Sequence, residues 1–80
     1  MKANIFVTLK REVLDPQGDA VRRSLDSLGF EEVRSARVGK LIELELDGND
    51  RASAEAHIQS MCEKLLANPV IEDFRYEIVD

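Results

Sequence analysis

The chain carries one histidine and one cysteine, His57 and Cys62, close together in "AEAHIQSMC". Nucleophilic catalysis needs an attacking group, a base within hydrogen-bond reach and a third group to orient the base. No second cysteine or catalytically spaced aspartate accompanies this pair. His57 reads as a helix-surface or boundary residue. Cys62, flanked by Met61 beside an apolar stripe, reads as a small buried hydrophobe. One cysteine and one histidine exclude an internal disulfide and every cysteine-paired zinc motif. Glu43 and Glu45 share a strand face, but "ELEL" is also how a strand keeps its outer face wet. Glu72-Asp73 reads as solvent-facing charge at a strand start. Neither GxxxxGK[ST] nor GxGxxG occurs, so no phosphate cradle is encoded. No catalytic, cofactor-binding or metal-ligating residue is expected.

Three loops carry more specific information. "VLDPQG" places Asp15, Pro16, Gln17 and Gly18 at a helix start, where the aspartate caps free N–H groups and proline loses nothing by lacking its donor. "ARVGKLI" sets Arg37 and Lys40 around Gly39 at a turn. Two cations there would hold a phosphate or a partner's carboxylate, and would serve equally as solubilising charge. "LLANPVIEDF" joins a helix to a strand through Asn68-Pro69 with more specification than a turn alone requires.

The elements that position these loops follow from hydrophobic periodicity. Residues 3–10 alternate as a strand, with Ile5, Val7 and Leu9 on one face and Phe6 on the other. Val21, Leu25 and Leu28 form one apolar stripe of a helix that Gly29 ends. Residues 33–38 read as a weaker strand, followed by a hairpin turn at Gly39-Lys40. "LIELELD" is the cleanest strand, with Ile42, Leu44 and Leu46 facing a core. Gly48-Asn49-Asp50 caps a second helix running to about Ala67. Its expected stripe is Ala54, Ile58, Met61 and Leu65, with Cys62 and Leu66 beside it. Residues 70–79 form the last strand, with Phe74, Tyr76 and Ile78 on one face. The order βαββαβ predicts an α+β, ferredoxin-like fold: a four-stranded antiparallel sheet with two helices on one face. The opposite face, carrying Phe6 and Val79, is left as a contact surface.

Eighty residues make a single domain, 1–80, whose core is too small for comfort, and with disulfides and metals excluded oligomerisation is the remaining support. A formal net charge of −5 argues against nucleic acid, whose phosphates demand a basic footprint. RNA-binding versions of this fold also stack bases on aromatic residues, which "LIELELD" lacks. No apolar run approaches a membrane span, and "MKANIFVTLKR" is too polar for a secretory signal, so a cytoplasmic location is expected.

"VLDPQG", "LG" at 28–29, "RVGK" and "LLANPVIEDF" together resemble the small subunit of phosphoribosylformylglycinamidine synthase, the PurS family. The segments stand in the family's order and span nearly the whole chain. Ala36 and Phe74 depart from the valine and tyrosine typical there, which removes a hydroxyl contact at 74. The resemblance implies a role in purine synthesis: a non-catalytic subunit bridging a glutaminase and a large ATP-dependent synthetase, and assisting ammonia transfer between them. It implies a homo-oligomer, a dimer or a tetramer, with no cofactor of its own, ATP and magnesium being expected on the large partner. Asp15, Pro16, Gln17, Gly18, Arg37, Gly39, Lys40 and Asn68 are the expected partner contacts. The alternative is an ACT-like regulatory domain that binds a small metabolite, to which Gly18 in the first loop lends some support.

Overall fold

The computed structural model describes residues 1–79. A strand β1 (Lys2–Leu9) leads to helix α1 (Pro16–Ser27), strand β2 (Lys40–Glu45), helix α2 (Arg51–Met61) with a closing π turn (Cys62–Leu66), and strand β3 (Glu72–Val79). The described residues form one antiparallel sheet in the order β2-β1-β3. Ile5 lies opposite Ile42 on one side and Tyr76 on the other, and Ala3 opposite Leu44 and Ile78. The period-two pattern therefore places Ala3, Ile5 and Val7 on the covered face, where they are buried with Ile58, Cys62, Ala67 and Ile78. Ala54, Leu66, Phe74 and Tyr76 close the rim of this core.

The sheet has three strands, not the four expected. Residues 33–38 have no regular secondary structure and join no ladder. Polar contacts redirect them: Val38 N–H donates to Asp15 Oδ2 at 2.8 Å, and the Arg37 guanidinium donates to the carbonyls of Val13 (2.6 Å) and Arg11 (2.8 Å). These bonds tie the segment to the loop between β1 and α1 instead of folding it back on β2. Gly39 lacks the positive φ that a tight hairpin turn requires, so Gly39-Lys40 is not a hairpin.

The two helices do not share the sheet face either. Among the described residues α2 packs there, against β3, and α1 makes no comparable contact with any strand. Its inward residues also differ from the expected stripe. In the π turn, Ala67 N–H reaches the Cys62 carbonyl at 3.1 Å, which widens the helix to more residues per turn. The inward spacing becomes Ala54, Ile58, Cys62, Leu66, while Met61 and Leu65 turn outward and Leu65 is 81% exposed.

Helix α1 projects as an arm. Asp15 accepts from Gly18 N–H at 2.9 Å at its start. At its end, Gly29 N–H bonds Asp26 and Phe30 N–H bonds Leu25, the paired closure that a left-handed Gly29 (φ 99°) allows. Yet Gly18 is its only buried residue. Leu25 is half-buried, while Val21 and Leu28 are exposed. The chain extends 48 Å along its longest axis, with a Cα radius of gyration of 15.9 Å, against about 12 Å for a compact domain of this length.

Candidate functional site

The loops singled out in the sequence meet at one end of the sheet. Asp15 is their junction. One carboxylate oxygen caps α1 through Gly18 N–H, and the other accepts from Val38 N–H, so a single side chain holds the helix start and the extended segment together. These two backbone donors, Gly18 first, hold the Asp15 carboxyl below its ordinary pKa, with the Arg37 charge contributing less. Gly18 is fixed by space: a Cβ there would overlap the Ala36 carbonyl oxygen and come within 2.7 Å of Asp15 Oδ2. Gly39 also passes close to β1, where a Cβ would lie 2.7 Å from the Val7 carbonyl oxygen.

The Asn68-Pro69 joint closes the other side of this end. Asn68 Oδ1 accepts from Val70 N–H at 3.0 Å, spanning the proline that has no donor of its own. The Asn68 carbonyl accepts from Ile71 N–H (3.1 Å) and Glu72 N–H (2.7 Å), and Asn68 N–H donates to Glu72 Oε1 at 2.7 Å. Ile71 in turn accepts from Lys10 N–H at 2.8 Å, which stitches the joint to the end of β1. Glu72 Oε2 lies 3.9 Å from Lys40 Nζ. This is how the joint answers its over-specification: four hydrogen bonds converge on Asn68 and fix the path of five residues.

Asp15, Gln17, Gly39, Lys40 and Glu72 thus line one recess, with Val7, Leu9 and Val38 as its apolar wall. Pro16 and Arg37 lie on the other side of the Asp15 junction, in a groove between α1 and residues 34–37. Gly18 sits beneath the junction, and Asn68 connects to the recess through Glu72. Sequence reasoning missed Glu72, which it treated as solvent-facing charge, and Arg22, Arg23 and Arg34 in the groove. The clustering of four of the eleven basic residues between positions 22 and 37 was the available signal.

Cys62 and His57 line neither the recess nor the groove. Cys62 is fully buried among Ile5, Val7 and Ile58, and burial, aided by the Glu63 charge, pushes its thiol pKa up, away from the nucleophilic thiolate. His57 is exposed beside Asp47, Gly48 and Asp50 near the start of α2. Among the described residues, no three His, Cys, Asp or Glu side chains gather as a metal cage. What the arrangement provides is shape: loops whose backbones are held by short-range polar contacts and glycine close approaches, with their outer surfaces left for contact.

The family model for PurS, described as phosphoribosylformylglycinamidine (FGAM) synthase, matches residues 2–80. The Bacillus subtilis phosphoribosylformylglycinamidine synthase subunit PurS is 49% identical over 77 residues, covering 96% of this chain and 90% of the relative. Its counterpart from Archaeoglobus fulgidus is 42% identical over 79 residues, 99% and 96% of the two chains. The structure of B. subtilis PurS superimposes with a TM-score of 0.84 at 48% identity, covering 99% of this chain and 98% of that one. A chain in the structure of PurLQS from Thermotoga maritima gives 0.88 at 32% identity, covering 98% and 95%. With its length matched nearly end to end by sequence and by fold, the chain belongs to the PurS family of phosphoribosylformylglycinamidine synthase.

Proposed function

We propose that this chain is the non-catalytic small subunit of a three-part phosphoribosylformylglycinamidine synthase in purine biosynthesis, bridging the glutaminase and the ATP-dependent synthetase and assisting the transfer of ammonia between them. The observation that carries this reading is the full-length family match on a chain whose loops are fixed in shape while its one cysteine is buried. ATP and magnesium belong to the large partner on this reading, and the complex works in the cytoplasm. Among the described residues, no helix is long and apolar enough to cross a membrane. The match over residues 2–80 displaces the metabolite-sensor alternative.

The chain functions as a homo-oligomer, a dimer or a tetramer. The projecting α1, with Val21 and Leu28 uncovered, supports this, since apolar stripes are stable only when buried against another element. The decisive experiment mixes the chain with its glutaminase and synthetase. Glutamine-dependent synthesis should require all three, whereas ammonia-dependent synthesis should need only the synthetase. Glutamine-dependent synthesis at full rate without this chain would sink the bridging role. Sedimentation at micromolar concentration tests the oligomer, and a monomeric mass would refute it.

A further inference from the structure

The groove between α1 and residues 34–37 gathers four arginines in an otherwise acidic chain. It has a volume of about 480 Å³, and Leu14, Pro16, Arg22, Arg23, Arg34 and Ala36 form its walls. Its two carboxylates are already engaged. Asp15 is spent on the N–H groups of Gly18 and Val38, and Asp19 is shared by Arg22 and Arg23. Arg37 lends its guanidinium to the Val13 and Arg11 carbonyls, which satisfy its hydrogen bonds without cancelling its charge. Arg34 has no hydrogen bond or ion pair among the described residues. Four guanidinium groups against two carboxylates leave the groove cationic in a chain of net charge −5. Leu14 stands at its edge, 87% exposed.

We infer that this groove receives an extended acidic segment of a partner subunit, its carboxylates on Arg34 and Arg22 and an apolar side chain over Leu14. The inference rests on the bridging role proposed above and names the chemistry of one of its contacts. Guanidinium groups suit carboxylates because the planar fork matches both oxygens. A second copy of the chain is the poorer occupant. A two-fold axis passing through the groove would set arginines against arginines, because residues at the axis meet their own copies. The groove also extends the surface that Pro16 and Arg37 belong to, beside the junction at Asp15.

The test measures the affinity of the chain for purified glutaminase and synthetase from the same organism, at low and high salt. Arg34→Glu is expected to weaken binding to one of them about tenfold or more at low salt and less at high salt, because screening removes the charge term. Leu14→Asp, exposed and remote from the core, should weaken the same pairing. Arg34→Lys, which keeps the charge and loses the fork, should fall between the wild type and Arg34→Glu. Melting temperature and homo-oligomer mass should be unchanged in all three. Wild-type affinity in both Arg34→Glu and Leu14→Asp overturns the inference and leaves the bridging role standing. Loss of the homo-oligomer in Arg34→Glu assigns the groove to contact between copies and also overturns it. So does micromolar inorganic phosphate shifting the Ala36 amide resonance of the isolated chain, which would mark a small-anion site. Failure of the wild-type chain to bind either subunit removes the bridging role itself.

Discussion

The sheet with α2 and the arm with its attached segment are held by different forces. Around Ile5, Val7, Ile58 and Cys62 the chain is dry: these side chains are fully buried, and no buried polar or charged residue interrupts them. Each large aliphatic side chain there contributes about 1.5–3 kcal/mol by leaving water. At the α1 end almost nothing apolar is buried. The segment 34–38 is held by one oxygen of Asp15, the guanidinium of Arg37 and the missing side chain of Gly18. The first region would keep its shape with many aliphatic side chains, whereas the second depends on single atoms. A surface that must be read by a partner benefits from the second kind of construction, because the same atoms that fix the backbone set what is displayed.

This contrast can be broken at several points. The largest effect is expected in the core: Ile58→Ala should cost about 2–5 kcal/mol, through lost transfer energy and a cavity the sheet cannot fill. A denaturant midpoint that moves by much less would show that α2 is not the element that seals the sheet. Gly18→Ala comes next and has an unusual sign. In an ordinary helix this change adds up to about 1 kcal/mol of stability. Here the Cβ meets the Ala36 carbonyl, so a loss of about 1–3 kcal/mol is expected, seen as faster amide exchange in α1 and at Val38 with β1 protection retained. A stabilised Gly18→Ala protein would refute the close approach.

Arg37 offers a sharper test. The sequence reads Arg37 as a partner contact, but its two backbone acceptors also make it a clamp, and Arg37→Ala should cost about 1 kcal/mol, confined to the arm. Acid should act on the same end. Asp15 and Asp19 both have lowered folded-state pKa values, Asp15 through Gly18 and Val38 and Asp19 through Arg23. Their stabilisation is complete above the ordinary aspartate pKa of about 4 and fades as pH falls through the lower folded values. The arm should therefore loosen before the sheet, and amide resonances of residues 16–38 should shift at higher pH than those of β1. Simultaneous loss of both regions would undo the comparison. Lys40→Ala is the smallest expected change, below about 0.5 kcal/mol, since its 3.9 Å pairing with Glu72 is exposed on the lysine side.

The same division explains what was legible in the sequence. Alternation in "NIFVTL" and "LIELEL" located β1 and β2 and their faces, because period-two burial is written in side-chain type. Caps and stops at Asp15, Gly29 and Asp50 located the helices for a similar reason: their chemistry is local. Residues 33–38 were misread as a strand because their fate depends on distant partners, Asp15 and the carbonyls at 11 and 13, which no local pattern encodes. Leu65 was placed inward because a uniform 3.6-residue turn was assumed, and the widened turn after Met61 breaks that rule. The candidate loops were found by their punctuation. Their meeting at one end of the sheet, through Glu72, was a tertiary fact.

The strand order has a consequence for how the molecule comes into being. β1, made first, is the central strand, and its long partner β3 is made last: Asn4 pairs its side chain with Glu77, 73 positions away. While the chain emerges from the ribosome, β1 has β2 alone for company, and one of its edges stays open until β3 appears. Closure of so long a loop is entropically slow, so the rate of folding should be governed by the arrival and docking of β3. In that interval the exposed edge of β1 is the part of the nascent chain most in need of protection from pairing with a neighbour.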